Sequence, residues 1–174
     1  MKTLKKTVVT EMVVNEDETE RYLYQQTWTK KKEPKLAVIL AINPTNSDPN
    51  TLDLTTMLIA NEVHTMKLDG FILCNLTSRI FSRRKIRNED FNEENDNAII
   101  QACTRKDVAK IIVAAGSILK TNEAANEKVK KLVDQLPEDV RSKVEILVGK
   151  NGPIHPLSPE ARSLGGWNLA KLKT

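Results

Sequence analysis

The sequence is poor in the residues that staple or metallate small proteins. Its 174 residues include two cysteines, Cys74 and Cys103, and two histidines, His64 and His155. Both cysteines sit inside apolar runs, so reduced core thiols are expected rather than a disulfide framework. With no paired cysteines and so few histidines, no zinc ligand set is spaced along the chain, and no metal or organic cofactor is implied. Rings are scarce too: three Phe, two Tyr and two Trp. A site that stacks a flat group therefore has few candidates. No apolar run approaches the ~18 residues of a membrane span. The first residues, Met1-Lys2-Thr3-Leu4-Lys5-Lys6, are basic, but no signal-peptide core follows. The expected protein is cytoplasmic, with no membrane partner.

What is present suits one domain, since single domains run ~100–200 residues. At this size folding buries roughly 70% of the surface that the open chain exposes, so a core can form without staples. Charged residues make up 29% and the formal net charge is +4. That charge is compatible with nucleic acid without arguing for it.

Residues 7–14 and 21–29 read as two strands joined by the polar turn 15–20, a β-hairpin. The texture changes at Leu36-Ala37-Val38-Ile39-Leu40-Ala41-Ile42, a continuous apolar run. Similar runs recur at 71–74, 111–115 and 144–148. Such runs suit strands covered on both faces. Helical patterns lie between them: Leu54, Leu58, Ile59, Val63 and Met66 share a face. Asp96 can cap a helix bearing Ile99, Ile100 and Cys103, and Thr121 one bearing Val129, Leu132 and Val133. The β-α-β-α-β-α-β order predicts a single α/β domain over residues 1–174. Residues 1–35 form its hairpin extension. Residues 36–174 form a three-layer α/β/α core on a central, mostly parallel sheet.

Ligands of open α/β sheets bind beyond the carboxyl ends of the strands. Here those ends read Asn43-Pro44-Thr45-Asn46-Ser47-Asp48, then Asn75-Leu76-Thr77-Ser78-Arg79, then Gly116-Ser117, then Gly149 through Pro159 with His155-Pro156-Leu157 inside it. Asn before Pro is ordinary turn chemistry, and Glu94-Asn95-Asp96 reads most simply as a helix start. His64, within a helical pattern, reads as structural. An Asn after each of the first two runs and a His after the last nevertheless mark one end of the sheet.

These residues carry a resemblance. Arg21-Tyr22, Asn43-Pro44-Thr45 with Asp48 and Asp53-Leu54-Thr55, Asn75-Leu76 with Arg79, Glu94-Asn95-Asp96, Ala115-Gly116, Gly152-Pro153 and His155-Pro156-Leu157 resemble a bacterial family, the domain of unknown function 1643. Thr45 stands where Ser is usual and Leu54 where Pro is usual. That family brings no established chemistry. More remotely, the layout is similar to the uracil-DNA glycosylase superfamily. That similarity implies a DNA glycosylase-like hydrolase acting on a flipped-out, modified or damaged pyrimidine. Asn43 would position the attacking water, Asn75 read the base, His155 face the base oxygen and Leu157 wedge into the duplex. Gly116 would join the substrate pocket, and Asp48 is a second candidate for activating the water. His155-Pro156-Leu157-Ser158-Pro159 is shorter than the corresponding glycosylase segment. Asn43 is a feebler base than Asp, which implies slow turnover.

Residues 78–87 hold five cations, Arg79, Arg83, Arg84, Lys85 and Arg87, and no acid. A run like this is either a solvated loop or a surface that tracks DNA phosphates. Phe81 within it could stack on an extruded base. Ser158-Pro159 reads as a helix start whose N–H groups could hold a phosphate. The glycosylase resemblance implies DNA as the partner, and the accompanying expectation is a monomeric enzyme acting in repair or phage defence. Two other classes stand beside it. One is a catalytically silent nucleic-acid or nucleotide-binding module. The other is a metal-dependent phosphodiesterase or nuclease using Asp48, Asp53 and Glu94.

Overall fold

The structure, a computed structural model, describes residues 1–80, 86–163 and 166–172. The chain opens with β1 (Val9–Val14) and β2 (Arg21–Thr27), an antiparallel hairpin. Its turn is tied by Asn15, whose side-chain oxygen accepts from the Glu20 N–H at 2.8 Å. Then follow β3 (Leu36–Ala41), helix α1 (Leu54–Thr65), β4 (Gly70–Asn75) and helix α2 (Glu93–Cys103). The remainder is β5 (Val108–Val113), α3 (Ile118–Thr121), α4 (Glu123–Asp134), α5 (Glu138–Arg141), β6 (Val144–Gly149), β7 (Gly152–Pro153), α6 (Pro159–Ser163) and β8 (Leu169–Lys171).

Every residue of β3 and β4 is buried, and side-chain alternation explains why. Leu36, Val38 and Leu40 point to one face of the sheet, where they pack with Ile99 and Cys103 of α2 and Val129 and Leu132 of α4. Ala37, Ile39 and Ala41 point to the other, against Ile59 and Val63 of α1. A strand covered on both faces has no polar side, hence the unbroken apolar run. Ile39 is fully buried, so Ile39→Ala should lower unfolding free energy by ~2–5 kcal/mol. Urea denaturation reads it, and a loss under about 1 kcal/mol would mean that this face repacks freely.

The expectation of a mostly parallel sheet is corrected. The protein is α/β, but its eight-stranded sheet is mixed, in the order β1-β2-β4-β3-β5-β6-β7, with β8 also on β6. Among the described residues the β4-β3-β5-β6 pairings are parallel. The four others, β1–β2, β2–β4, β6–β7 and β6–β8, are antiparallel. The hairpin is not an appendage: β2 extends the sheet through Tyr24 opposite Leu73 and Gln26 opposite Phe71. β7 and β8 have two and three residues, too few for a period-2 pattern to show.

Two helix starts also differ. Asn92, not Asp96, caps α2, accepting from the Asn95 N–H at 2.7 Å. Asn122, not Thr121, caps α4 through the Ala125 N–H at 3.0 Å. Asp96 instead pairs with Lys128 of α4, tying the two helices together. Cys74 and Cys103 are buried free thiols; burial pushes Cys103 up to about 12 and Cys74 well above its ordinary value. Among the described residues no helix is long and apolar enough to cross a membrane.

Candidate functional site

β3 and β4 run parallel and in register, Ala41 beside Asn75, so Asn43 and Asn75 emerge at the same edge. β6 ends there too. The reversal into β7 pairs Val148 with Pro153, and the Ile154 N–H returns to the Leu147 carbonyl at 3.1 Å. This fold-back carries His155 over the edge of the sheet. The leaving helices use opposite faces, α1 after β3 and α3–α4 after β5. The adjacent strands β3 and β5 therefore part at the place where open α/β sheets form their binding crevice.

A cavity of about 190 Å³ sits at this edge, and Asn43, Asn75 and His155 all line it, with Arg21, Asp53 and Leu157. An engineered cavity of ~150 Å³ takes up benzene, so the space suits a single ring. A wider cleft of about 650 Å³ lies at the opposite end of the sheet, between Lys32–Lys35 and Lys106–Ala109. It gathers none of the strand-end residues.

Asn43 and Asn75 are both held by side-chain hydrogen bonds. The Asn43 side-chain oxygen accepts from the Thr77 hydroxyl at 2.7 Å. Asn75 is 2% exposed. Its Oδ1 accepts from Arg21 Nη2 at 3.2 Å. Because a guanidinium only donates, this bond fixes the amide and turns the Nδ2 donors to the other side. Asn95 anchors the main chain behind it, donating to the carbonyls of Asn75 at 3.0 Å and Leu76 at 3.3 Å.

The half-buried His155 accepts from the Leu157 N–H at Nδ1, 3.2 Å away. An accepting Nδ1 leaves the proton of a neutral imidazole on Nε2. Burial lowers its pKa below the ordinary histidine value, with the charge of Asp53 opposing that shift. The ring is thus a neutral donor at physiological pH. Gly116, just past β5, makes room for it. A Cβ there would meet the His155 Cβ at 3.0 Å and its N at 3.2 Å. Its φ of +77° is in the left-handed region, where a side chain costs ~1–2 kcal/mol. Gly116→Ala should destabilise by about that amount and displace the imidazole. Denaturation and the His155 ring NMR signals read the two effects, and unchanged signals would mean that the loop is not seated on Gly116.

Of the other sequence candidates, Asp53 and Leu157 line the cavity and the rest fall elsewhere. Asp48 is exposed and folded into its own turn, accepting from the Asn50 N–H at 2.9 Å and the Thr51 hydroxyl at 2.8 Å. These bonds lower its pKa, and it does not line the cavity. Asp53 does, as the N-cap of α1 on the Thr56 N–H at 2.7 Å and as acceptor of the Thr45 hydroxyl. Leu157 is 38% exposed at the cavity wall. Gly116 supports His155 rather than lining the space. Arg79 is exposed and bridges the backbone of Glu20. Arg87 is exposed and paired with Glu89 at 3.2 Å. Ser158 caps the five-residue α6, accepting from the Ala161 N–H at 3.2 Å. Phe81, Arg83, Arg84 and Lys85 lie outside the described residues. Glu94 holds the Tyr22 hydroxyl at 2.9 Å, away from Asp48 and Asp53. No group of three metal-ligating side chains gathers among the described residues.

The sequence marks no site role for Arg21, in the cavity wall, or for Thr77, which holds Asn43. The available signal for Arg21 was a lone cation opening a strand otherwise rich in apolar and aromatic residues. Fold and site together define an α/β protein with a polar, ring-sized cavity at the carboxyl edge of its sheet. The chain belongs to the family described as "Protein of unknown function (DUF1643)", which it matches over residues 21–157. No curated protein matches it.

Proposed function

We propose that this protein is a DNA glycosylase-like hydrolase with the layout of the uracil-DNA glycosylase superfamily. It cleaves the N-glycosidic bond of a flipped-out, modified or damaged pyrimidine. The supporting observation is that Asn43, Asn75 and His155, assigned to water, base edge and base oxygen, line one cavity of ring size. In the reaction a water oxygen bonds to the sugar C1′ as the C1′–N1 bond breaks. The electron pair leaves with the base, and the water's second proton goes to solvent or base. Asn43 orients that water through its side-chain oxygen, while Thr77 steadies the amide. Asn75 offers Nδ2–H to a ring acceptor, and His155 offers Nε2–H to the oxygen where negative charge grows. Extrusion of the base from the stack makes its pairing edge available, with Leu157 at the rim as the wedge. Proposed with this are DNA as partner, action as a monomer in the cytoplasm, and a role in repair or defence against phage.

The test incubates the protein with duplex and single-stranded DNAs carrying a panel of modified pyrimidines, then treats them with alkali. Strand breaks at one base type, unaffected by EDTA, are expected. Breaks abolished by EDTA would point to metal-dependent cleavage. DNA binding without any abasic product would leave a binding module.

A further inference from the structure

Arg21 is the most buried charge in the cavity wall, at 2% exposure. Among the described residues its guanidinium reaches two neutral oxygens, the Asn46 carbonyl and Asn75 Oδ1, each at 3.2 Å, and its buried Nε has no hydrogen-bond partner. Among the described residues no carboxylate lies within ion-pair distance of it. The groups that face it are Asp53, the Tyr24 ring at 5.6 Å and the Cys74 thiol. Tyr24 and Cys74 are kept neutral by burial, and the Asp53 oxygens are already taken by Thr45 and the start of α1. Burial works against the charge on Arg21. A buried cation short of a counter-charge is costly, and here it borders an open space. The neighbouring groups, Asn75 Nδ2–H and His155 Nε2–H, are donors as well. An anion held at Arg21 meets three donors and one full charge, while the Asn43 oxygen and the Asp53 carboxylate of the same cavity already accept from Thr77, Thr45 and Thr56.

We infer that the ligand of this cavity is a single planar ring bearing a negative charge, held by Arg21 beside Asn75. The charge can come from an ionised ring nitrogen or from a carboxylate on the ring. The choice of pyrimidine rests on the hydrolase reading; the charge does not.

The experiment measures binding by calorimetry to the full chain at about pH 8, where imidazole is neutral. Four probes separate the possibilities: uracil as neutral ring, 5-nitrouracil as ring anion, orotate as ring carboxylate and benzoate as a charged ring that is no pyrimidine. At least one charged pyrimidine should bind about 10- to 100-fold tighter than uracil, the scale of one charge-assisted hydrogen bond. Which of the two does so identifies the source of the charge. Arg21→Gln should erase the preference and Arg21→Lys keep part of it. Because the wild-type comparison needs no variant, misfolding of either cannot obscure the result. Uracil binding as well as the charged rings would overturn the inference while leaving the hydrolase reading intact. Benzoate binding alone would keep the anion site and remove the pyrimidine. A folded Arg21→Gln protein with its preference unchanged, or no binding by any ring, would overturn the assignment.

Discussion

Asn43→Ala should lower single-turnover base release by ~10²–10⁴, the usual loss when a positioned catalytic group is removed. DNA affinity should hardly change, because the residue acts on the water and not on the duplex. The site around it supports this split. Asn43 is partly buried at the end of β3, and Thr77 donates to its oxygen at 2.7 Å, so the amide is aimed before substrate arrives. An amide orients a water without taking its proton. Asn43→Asp should therefore raise the rate above wild type, since a carboxylate both orients and accepts. If Asn43→Ala keeps full activity, the water must be held elsewhere. Asp53 is then the residue to change, because it lines the same cavity while Asp48 is locked in its own turn.

The contrast between Asp48 and Asp53 shows where sequence reading stops. Both lie in the loop between β3 and α1, and spacing alone favours neither. What separates them is the path of the loop: Asp48 closes on Asn50 and Thr51, and Asp53 ends the loop by capping α1 toward the cavity. The strand ends were legible because burial on both faces writes unbroken apolar runs, as in β3 and β4. A polar residue directly after such a run must lie at the edge, which marks Asn43 and Asn75; His155 comes seven residues after the last run, within the loop that follows it. Arg21 has no such mark. Its burial depends on β2 docking antiparallel on β4, a long-range pairing with no local signature. The same holds for Gly116, whose role depends on a loop that arrives from β6 and β7, about forty residues later in the chain.

His155→Ala should cut the rate of base release by ~10²–10³, the effect of losing one preoriented donor to a developing oxyanion. Negative charge grows on the base oxygen as the bond breaks, so the donor stabilises the transition state more than the bound substrate. His155→Gln should keep part of the activity, since its amide still donates. The pH dependence follows from the tautomer. With Nδ1 held by the Leu157 N–H, the imidazole works as a neutral donor, and burial lowers its pKa. A depressed histidine pKa means that the native state favours the neutral ring. The stability this ring contributes is present above the unfolded value, about 6.5, and is lost as pH falls through the folded value. Wild type should therefore lose more stability than His155→Gln on acidification below about pH 6.5. Single-turnover rate and thermal melting on the same variants separate chemistry from support. A histidine that merely ties its loop to Gly116 and β5 would lower the melting temperature of the alanine variant, with normal activity per folded molecule. That outcome would remove the donor from the mechanism, and with it the strongest link between this cavity and glycosidic bond cleavage.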